Sequence, residues 1–414
     1  MKSIKTVFSH FWSNNPSSIP EIHPMIKTVH RFLLIIIPVL ISSISCAAKQ
    51  YPELMRFEDS ARHWYTIFDE ERVIEPLEAR PQYRASQYRE IADNILLFQK
   101  DNGGWAKNYD MKAILNEGQI RLLLEAKKDT NTTFDNGATH GQLTYLAEVI
   151  ALTGDETYKT AFFRGLEFTL EAQYENGGWP QFYPDTSGYR KYITFNDMAM
   201  VGTMSMLQKI VQHAPEYAFV SKEQRSRVER SYDKGIQCIL NCQIVEKNVK
   251  TAWCQQHDEK DLSPRDARIF EKASICNLES TELVKLLINI DHPEPEIIQA
   301  VEAAVAWFKQ AEIHGLRVDV IAAPEEHFIY HRSNIDRVIV EDPNAPRIWP
   351  RFNELKTHRP IFCGRDGIVR YAMSEIDRDR RTGYGWYTYA PEEVYALYLK
   401  WRQKWTPNRN LPGD

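Results

Sequence analysis

The sequence predicts an all-α chain, an incomplete α/α barrel or toroid in which repeated helical hairpins carry long loops to a central cleft. Three observations lead there: amphipathic helical spacing that stops at Gly-rich turns, tryptophans recurring at a fixed interval, and a scarcity of strand signals. Trp105, Trp179 and Trp253 lie 74 residues apart. That interval is too long for a minimal solenoid unit and suits two helices with two long loops.

At the N-terminus, Lys27, His30 and Arg31 precede the apolar run 32–41 and then the small residues Ser42, Ser43, Ser45, Cys46, Ala47 and Ala48. This is the order of a secretory signal, and the run is too short to span a bilayer comfortably. The leader is assigned to residues 1–48. Pro16, Pro20 and Pro24 precede a signal that would be complete from Met25, which points to a misassigned start. Cys46 ends a loose lipobox, Ser43-Ile44-Ser45-Cys46, so a lipid anchor there competes with cleavage after Ala48. The expected destination is outside the cytoplasm: periplasmic, outer-membrane lipoprotein or secreted.

Residues 88–99 place apolar side chains at helical spacing and end in Asn102-Gly103-Gly104-Trp105. The plan returns at 166–173 before Asn176-Gly177-Gly178-Trp179, and faintly at 235–243 before Trp253. Further helices are expected over 142–152, 198–211 and 280–290. No Pro/Gly/Ser-rich linker follows residue 80, so 49–414 reads as one catalytic domain.

Composition narrows the function. A chain of 414 residues, 43% hydrophobic and 26% charged, has ample core. Its formal net charge of −5 gives nucleic-acid binding no support. Besides Cys46 there are Cys238, Cys242, Cys254, Cys276 and Cys363, an odd set that cannot fully pair; Cys238 and Cys242, one turn apart, are expected to pack. No Cys/His set has zinc spacing.

Asp135 and Asn136, in Thr132-Thr133-Phe134-Asp135-Asn136-Gly137, and the pair Asn196-Asp197 each stand just before a helix. Oxygen donors of this kind suit calcium, which takes six to eight oxygens; either pair taken alone reads more readily as a helix N-cap. Arginines interleaved with aromatics and Gly occupy 265–271, 347–354 and 359–367, a pattern suited to carboxylates bound bidentately.

Taken in order, Asn102-Gly103-Gly104-Trp105 with Lys107-Asn108, Phe134-Asp135-Asn136-Gly137-Ala138-Thr139, Gly177-Gly178-Trp179-Pro180-Gln181, Ile193-Thr194-Phe195-Asn196-Asp197, Ala267-Arg268-Ile269-Phe270-Glu271 and Arg359-Pro360-Ile361-Phe362-Cys363-Gly364-Arg365-Asp366-Gly367 resemble the pectate lyases of polysaccharide lyase family 10. The resemblance spans roughly residues 60–405; Cys276-Asn277 and Phe352-Asn353 depart from the usual pattern, which bears on subsite preference. It implies an α/α toroid, a bound Ca2+ on Asp135 and Asp197, Arg268 as proton abstractor, Arg351 and Arg365 as uronate binders, and Asn136 and Trp179 as further substrate contacts. The implied reaction is calcium-dependent β-elimination of (1→4)-α-D-galacturonan to 4,5-unsaturated oligogalacturonates by a monomer whose partner is polygalacturonate. A charged arginine is a poor base, so Arg268 is expected to have a lowered pKa, with His257 or a carboxylate in reserve. Two other readings stay open: an inverting glycoside hydrolase using Asp135 and Asp197, and a non-catalytic uronate-glycan-binding lipoprotein.

Overall fold

The helix spacing read from the sequence turns into two layers of helices. The computed structural model describes residues 51–68 and 71–406. The leader, Met25 and Cys46 lie outside the described residues. Eleven α-helices are found among the described residues: α1 Glu58–Thr66, α2 Tyr88–Phe98, α3 Glu117–Glu125, α4 His140–Thr153, α5 Glu156–Glu171, α6 Ala199–Val211, α7 Lys222–Cys242, α8 Asn277–Ile288, α9 Pro295–Ala311, α10 Arg378–Gly383 and α11 Ala390–Trp405. None is long and apolar enough to cross a membrane.

Helices α4, α6, α8 and α11 pack side by side in chain order, and α5, α7 and α9 back onto α4, α6 and α8. The inner layer is buried on most sides: Leu143, Leu146 and Val149 of α4, Met200 and Met204 of α6, and Leu283 and Leu287 of α8 have no exposed surface. Burying apolar side chains of this size stabilises by about 1.5–3 kcal/mol each.

The tryptophan repeat has a physical basis. Trp105, Trp179 and Trp253 are wholly buried, and each indole N–H donates to a helix carbonyl behind it: Ile95 O at 2.8 Å, Thr169 O at 2.8 Å and Ile239 O at 2.7 Å. Just after each helix a glutamine does the matching work. Gln99 Nε2 donates to Gly103 O and Ala161 O, Gln173 Nε2 to Gly177 O and Ser231 O, and Gln243 Nε2 to Thr251 O and Ala300 O. Each glutamine thus ties its own loop to the next outer helix. Glycine is required in the first two loops: Gly103 and Gly177 have φ of 96° and 93°, and a Cβ would fall 2.4 Å from Arg164 O and 2.0 Å from Lys234 O. In the third copy a short hairpin, Val245–Glu246 with Val249–Lys250, replaces that turn.

The all-α expectation needs one correction. Leu316–His327 and Arg332–Glu341 form a long antiparallel hairpin, besides five short two-stranded pairs among the described residues. The first strand begins with the period-two alternation Leu316-Arg317-Val318-Asp319-Val320, a signal that the helical repeat overshadowed; the second, Ile335-Asp336-Arg337-Val338, does not alternate. Arg378 of α10 pins both strands by donating to Pro324 O, Ser333 O and Ile335 O.

Candidate active site

The inner helices begin at one rim, and the residues just before or within their first turns converge there. Asp135 and Asn136 lie in the turn before α4, Asn196 and Asp197 in the turn before α6, and Glu279 in the first turn of α8. Asn136 and Asp197 adopt left-handed conformations with φ of 53° and 47°. Neither α4 nor α6 has a side-chain N-cap hydrogen bond, so Asp135 and Asp197 are not caps.

Asp135 Oδ2 accepts from Lys107 Nζ at 2.6 Å, while its Oδ1 and the Oδ1 of Asn136 are buried without a hydrogen-bond partner. Asn136 Nδ2 donates to Asn108 Oδ1 at 2.9 Å. Burial works against the charge on Lys107, but Asp135 more than offsets it and the lysine pKa is raised. Asp197 has surface open to solvent, while the protein around it still desolvates its carboxylate. Its pKa is pushed up to about 7 by that desolvation first and then by Asp135 and Glu279, against the pull of Arg351 and Arg268. A group of negative charges that repel one another beside unpartnered carbonyl and carboxylate oxygens fits a hard cation. Among the described residues no three His, Cys, Asp or Glu side chains gather as a metal site, so the protein share would be two carboxylates and an amide oxygen.

Next to these carboxylates stands an array of arginines on two rings. Arg268 donates from Nε to Glu271 Oε2 at 2.8 Å and from Nη2 to Oε1, and Tyr384 Oη also donates to Glu271 at 2.8 Å. The Arg268 side chain is 43% exposed, whereas that of Glu271 is 1% exposed. Burial of the surroundings lowers the Arg268 pKa, but Glu271 overrides this and holds it well above the ordinary arginine value. The expected depression is therefore absent in the free protein. Arg268 stands 4.9 Å from the Phe270 ring, which also carries Arg365 at 5.8 Å and Arg380 at 4.1 Å; Arg351 lies 4.6 Å from the Tyr384 ring.

Arg351 is nearly buried and shares Nη2 between Asn196 Oδ1, at 2.7 Å, and Glu279, leaving Nε without a protein partner. Arg365 pairs with Asp379 through Nε and Nη2. Trp179 is not a substrate contact: it has no exposed surface and its N–H is committed to Thr169. His257 is likewise excluded as a base. It is wholly buried, Nε2 accepts from Cys254 N, Nδ1 bonds Leu262 O, and burial lowers its pKa to about 4. Cys238 and Cys242 are buried, unbridged and in contact, as packing residues should be.

Sequence reasoning missed Glu279, Glu271, Tyr384 and Arg380. Glu279 had a signal, its position at the start of the third inner helix, in line with Asp135 and Asp197. Arg380 had none: it is buried, has no carboxylate at ion-pair distance among the described residues, and its pKa is pushed down to about 10 by burial and by Arg365. Only the fold brings it to Phe270.

A family model described as pectic acid lyase matches residues 99–395. Two solved structures are similar. One is a mutant of a family 10 polysaccharide lyase from Cellvibrio cellulosa in complex with trigalacturonic acid, with a TM-score of 0.65 and 30% identity, covering 78% of this chain and 97% of the other. The second is a family 10 polysaccharide lyase from the same organism, with a TM-score of 0.62 and 29% identity, covering 80% and 98%. No curated protein matches the chain.

Proposed function

The chain belongs to the pectic acid lyase family and is a lyase, and from that premise we propose that it cleaves polygalacturonate by calcium-dependent β-elimination. The observation that carries this is the gathering of Asp135 and Asp197 with Arg351 and Arg268 at one rim, Arg365 following Arg268 on the Phe270 ring. The toroid belongs to the same proposal, supported by the chain-ordered inner layer whose helices open on one rim. So does export through the leader, as a secreted, periplasmic or lipid-anchored monomer.

The C5 proton of a galacturonate unit is acidified by the C6 carboxylate beside it. As the proton leaves, charge builds on that carboxylate; the electron pair then forms the C4–C5 double bond and the C4–O bond breaks, with the leaving oxygen taking up a proton. Asp135, Asp197 and the amide oxygen of Asn136 would hold Ca2+. Bound there, it would supply a Lewis acid for the C6 carboxylate. Lys107 neutralises part of the Asp135 charge, and Arg351 and Arg365 offer fixed donors to uronates. Arg268 reaches into the cleft as the proton acceptor in its neutral form. Glu271 and Tyr384 fix its orientation, and because Glu271 favours the charged form, the neutral fraction is small and the rate rises into the alkaline range.

The test is to incubate the purified protein with polygalacturonate, with and without calcium, and follow the ultraviolet absorbance of the unsaturated uronate. Chain shortening without that absorbance would mean hydrolysis and overturn the proposal.

A further inference from the structure

The long hairpin ends beside the arginine array. Its tip, Phe328-Ile329-Tyr330-His331, closes with a hydrogen bond from Phe328 N to His331 O at 2.8 Å. The tip is docked on α10. His331 Nδ1 lies 3.4 Å from Asp379, Nε2 lies 3.3 Å from Thr382 Oγ1, and a Cβ on Gly383 would fall 2.6 Å from the His331 ring. Asp379 is also the partner of Arg365, so one carboxylate sets the tip and the guanidinium against each other. Arg365 sits 4.9 Å from the Tyr330 ring.

Tyr330 nevertheless remains 47% exposed. A ring fixed beside a guanidinium with much of its surface still in water can take up the flat apolar face of a ligand. The run Tyr330, Arg365, Phe270, Arg268 alternates ring and guanidinium along one wall, at 4.9, 5.8 and 4.9 Å. Arg365 spends its Nε and Nη2 on Asp379 and has its Nη1 edge left over. An exposed ring beside an available guanidinium edge matches the two faces of a uronic acid unit, an apolar C–H face and a carboxylate.

We propose that Tyr330 at the hairpin tip is a sugar-stacking platform for a galacturonate unit remote from the scissile bond, making the enzyme selective for longer chains. The proposal rests on the lyase reading for its substrate. Arg365 and Phe270 stand between Tyr330 and Arg268 along that run, so a chain cleaved at Arg268 meets Tyr330 only if it extends past both, and the length dependence of KM reads whether it does. Its contact is the same before and during bond breaking, and such uniform binding lowers KM without changing kcat.

The experiment compares wild type, Tyr330→Ala, Tyr330→Phe and Tyr330→Trp on trigalacturonate, hexagalacturonate and polygalacturonate by product absorbance. Ring contacts of this kind are worth a factor of about 2 to 12. Tyr330→Ala should raise KM for the hexamer and polymer by about fivefold, leave kcat unchanged and leave the trimer within about twofold; the Phe and Trp variants should behave as wild type. An equal KM rise on trimer and hexamer, or no rise on either, overturns the platform. Retardation in gels containing polygalacturonate, measured for the same variants, reads the contact without catalysis. If wild type yields no unsaturated product, the lyase reading falls, and loss of retardation in Tyr330→Ala alone still decides the platform.

Discussion

Replacing Glu271 with glutamine separates charge from proton transfer at Arg268. Glu271 accepts from Nε and Nη2 of Arg268 and from the Tyr384 hydroxyl. An amide keeps one acceptor oxygen and turns an N–H2 donor towards another donor, so one charge-assisted hydrogen bond is lost, worth about 1.5–3 kcal/mol. Because the Arg268 side chain is 43% exposed, it can turn to water and recover part of that; we expect a net loss of about 1–2 kcal/mol. The loss also depends on pH. The Glu271 pKa is lowered on balance, burial raising it and Arg268 lowering it more. Its pairing therefore stabilises above the ordinary carboxylate value and the effect fades as pH falls through the folded value, so variant and wild type should converge in acid. In catalysis the variant loses orientation, up to about 10²-fold in turnover for a displacement of about 1 Å. It also loses the charge that keeps Arg268 protonated, so the alkaline rise should move to lower pH. Initial rates across pH, with melting curves on the same samples, check both effects. A rise that stays put or moves to higher pH would refute Arg268 as the titrating base.

Chelation should abolish activity and added calcium restore it, and Asp135→Ala or Asp197→Ala should raise the calcium needed for half-maximal rate; full activity after exhaustive chelation would remove the metal. Arg268→Ala should lose at least about 10²-fold in turnover while oligogalacturonate still binds in titration, and Arg268→Lys should be nearly as poor. Arg351→Lys and Arg365→Lys should impair cleavage, since an ammonium keeps the charge and loses the fork; unchanged kinetics in both would place them off the substrate. Trp179→Phe should cost about 1–3 kcal/mol in melting experiments by leaving Thr169 O short of its donor, with KM unchanged.

The helices were legible because their apolar spacing reports burial directly. Residues 142–152 fall inside α4 and Met198 adjoins α6. The placement of Asp135 and Asp197 before helices was legible because each precedes an apolar helical run. Contacts across the rim were not. Glu271 shields Arg268 from the depression expected of it, Trp179 shares a Gly-rich motif with the site while filling the core, and Arg380 reaches Phe270 through a long separation in sequence. A motif carries adjacency along the chain and no depth, so it could not separate Trp179 from a surface tryptophan.

The glutamine ties at Gln99, Gln173 and Gln243 bear on how such an enzyme can change over generations. Each tie ends a loop's mechanical influence at the outer layer, because the loop base is fixed to the next outer helix by Ala161, Ser231 or Ala300. Beyond that point the loop is free to lengthen, shorten or exchange side chains while the helices stay in register. The third repeat already shows the exchange: a hairpin has replaced the Gly-rich turn, and Gln243 still closes on Thr251. New carbohydrate preferences can therefore arise by local insertion, one loop at a time, with the scaffold insulated from each trial.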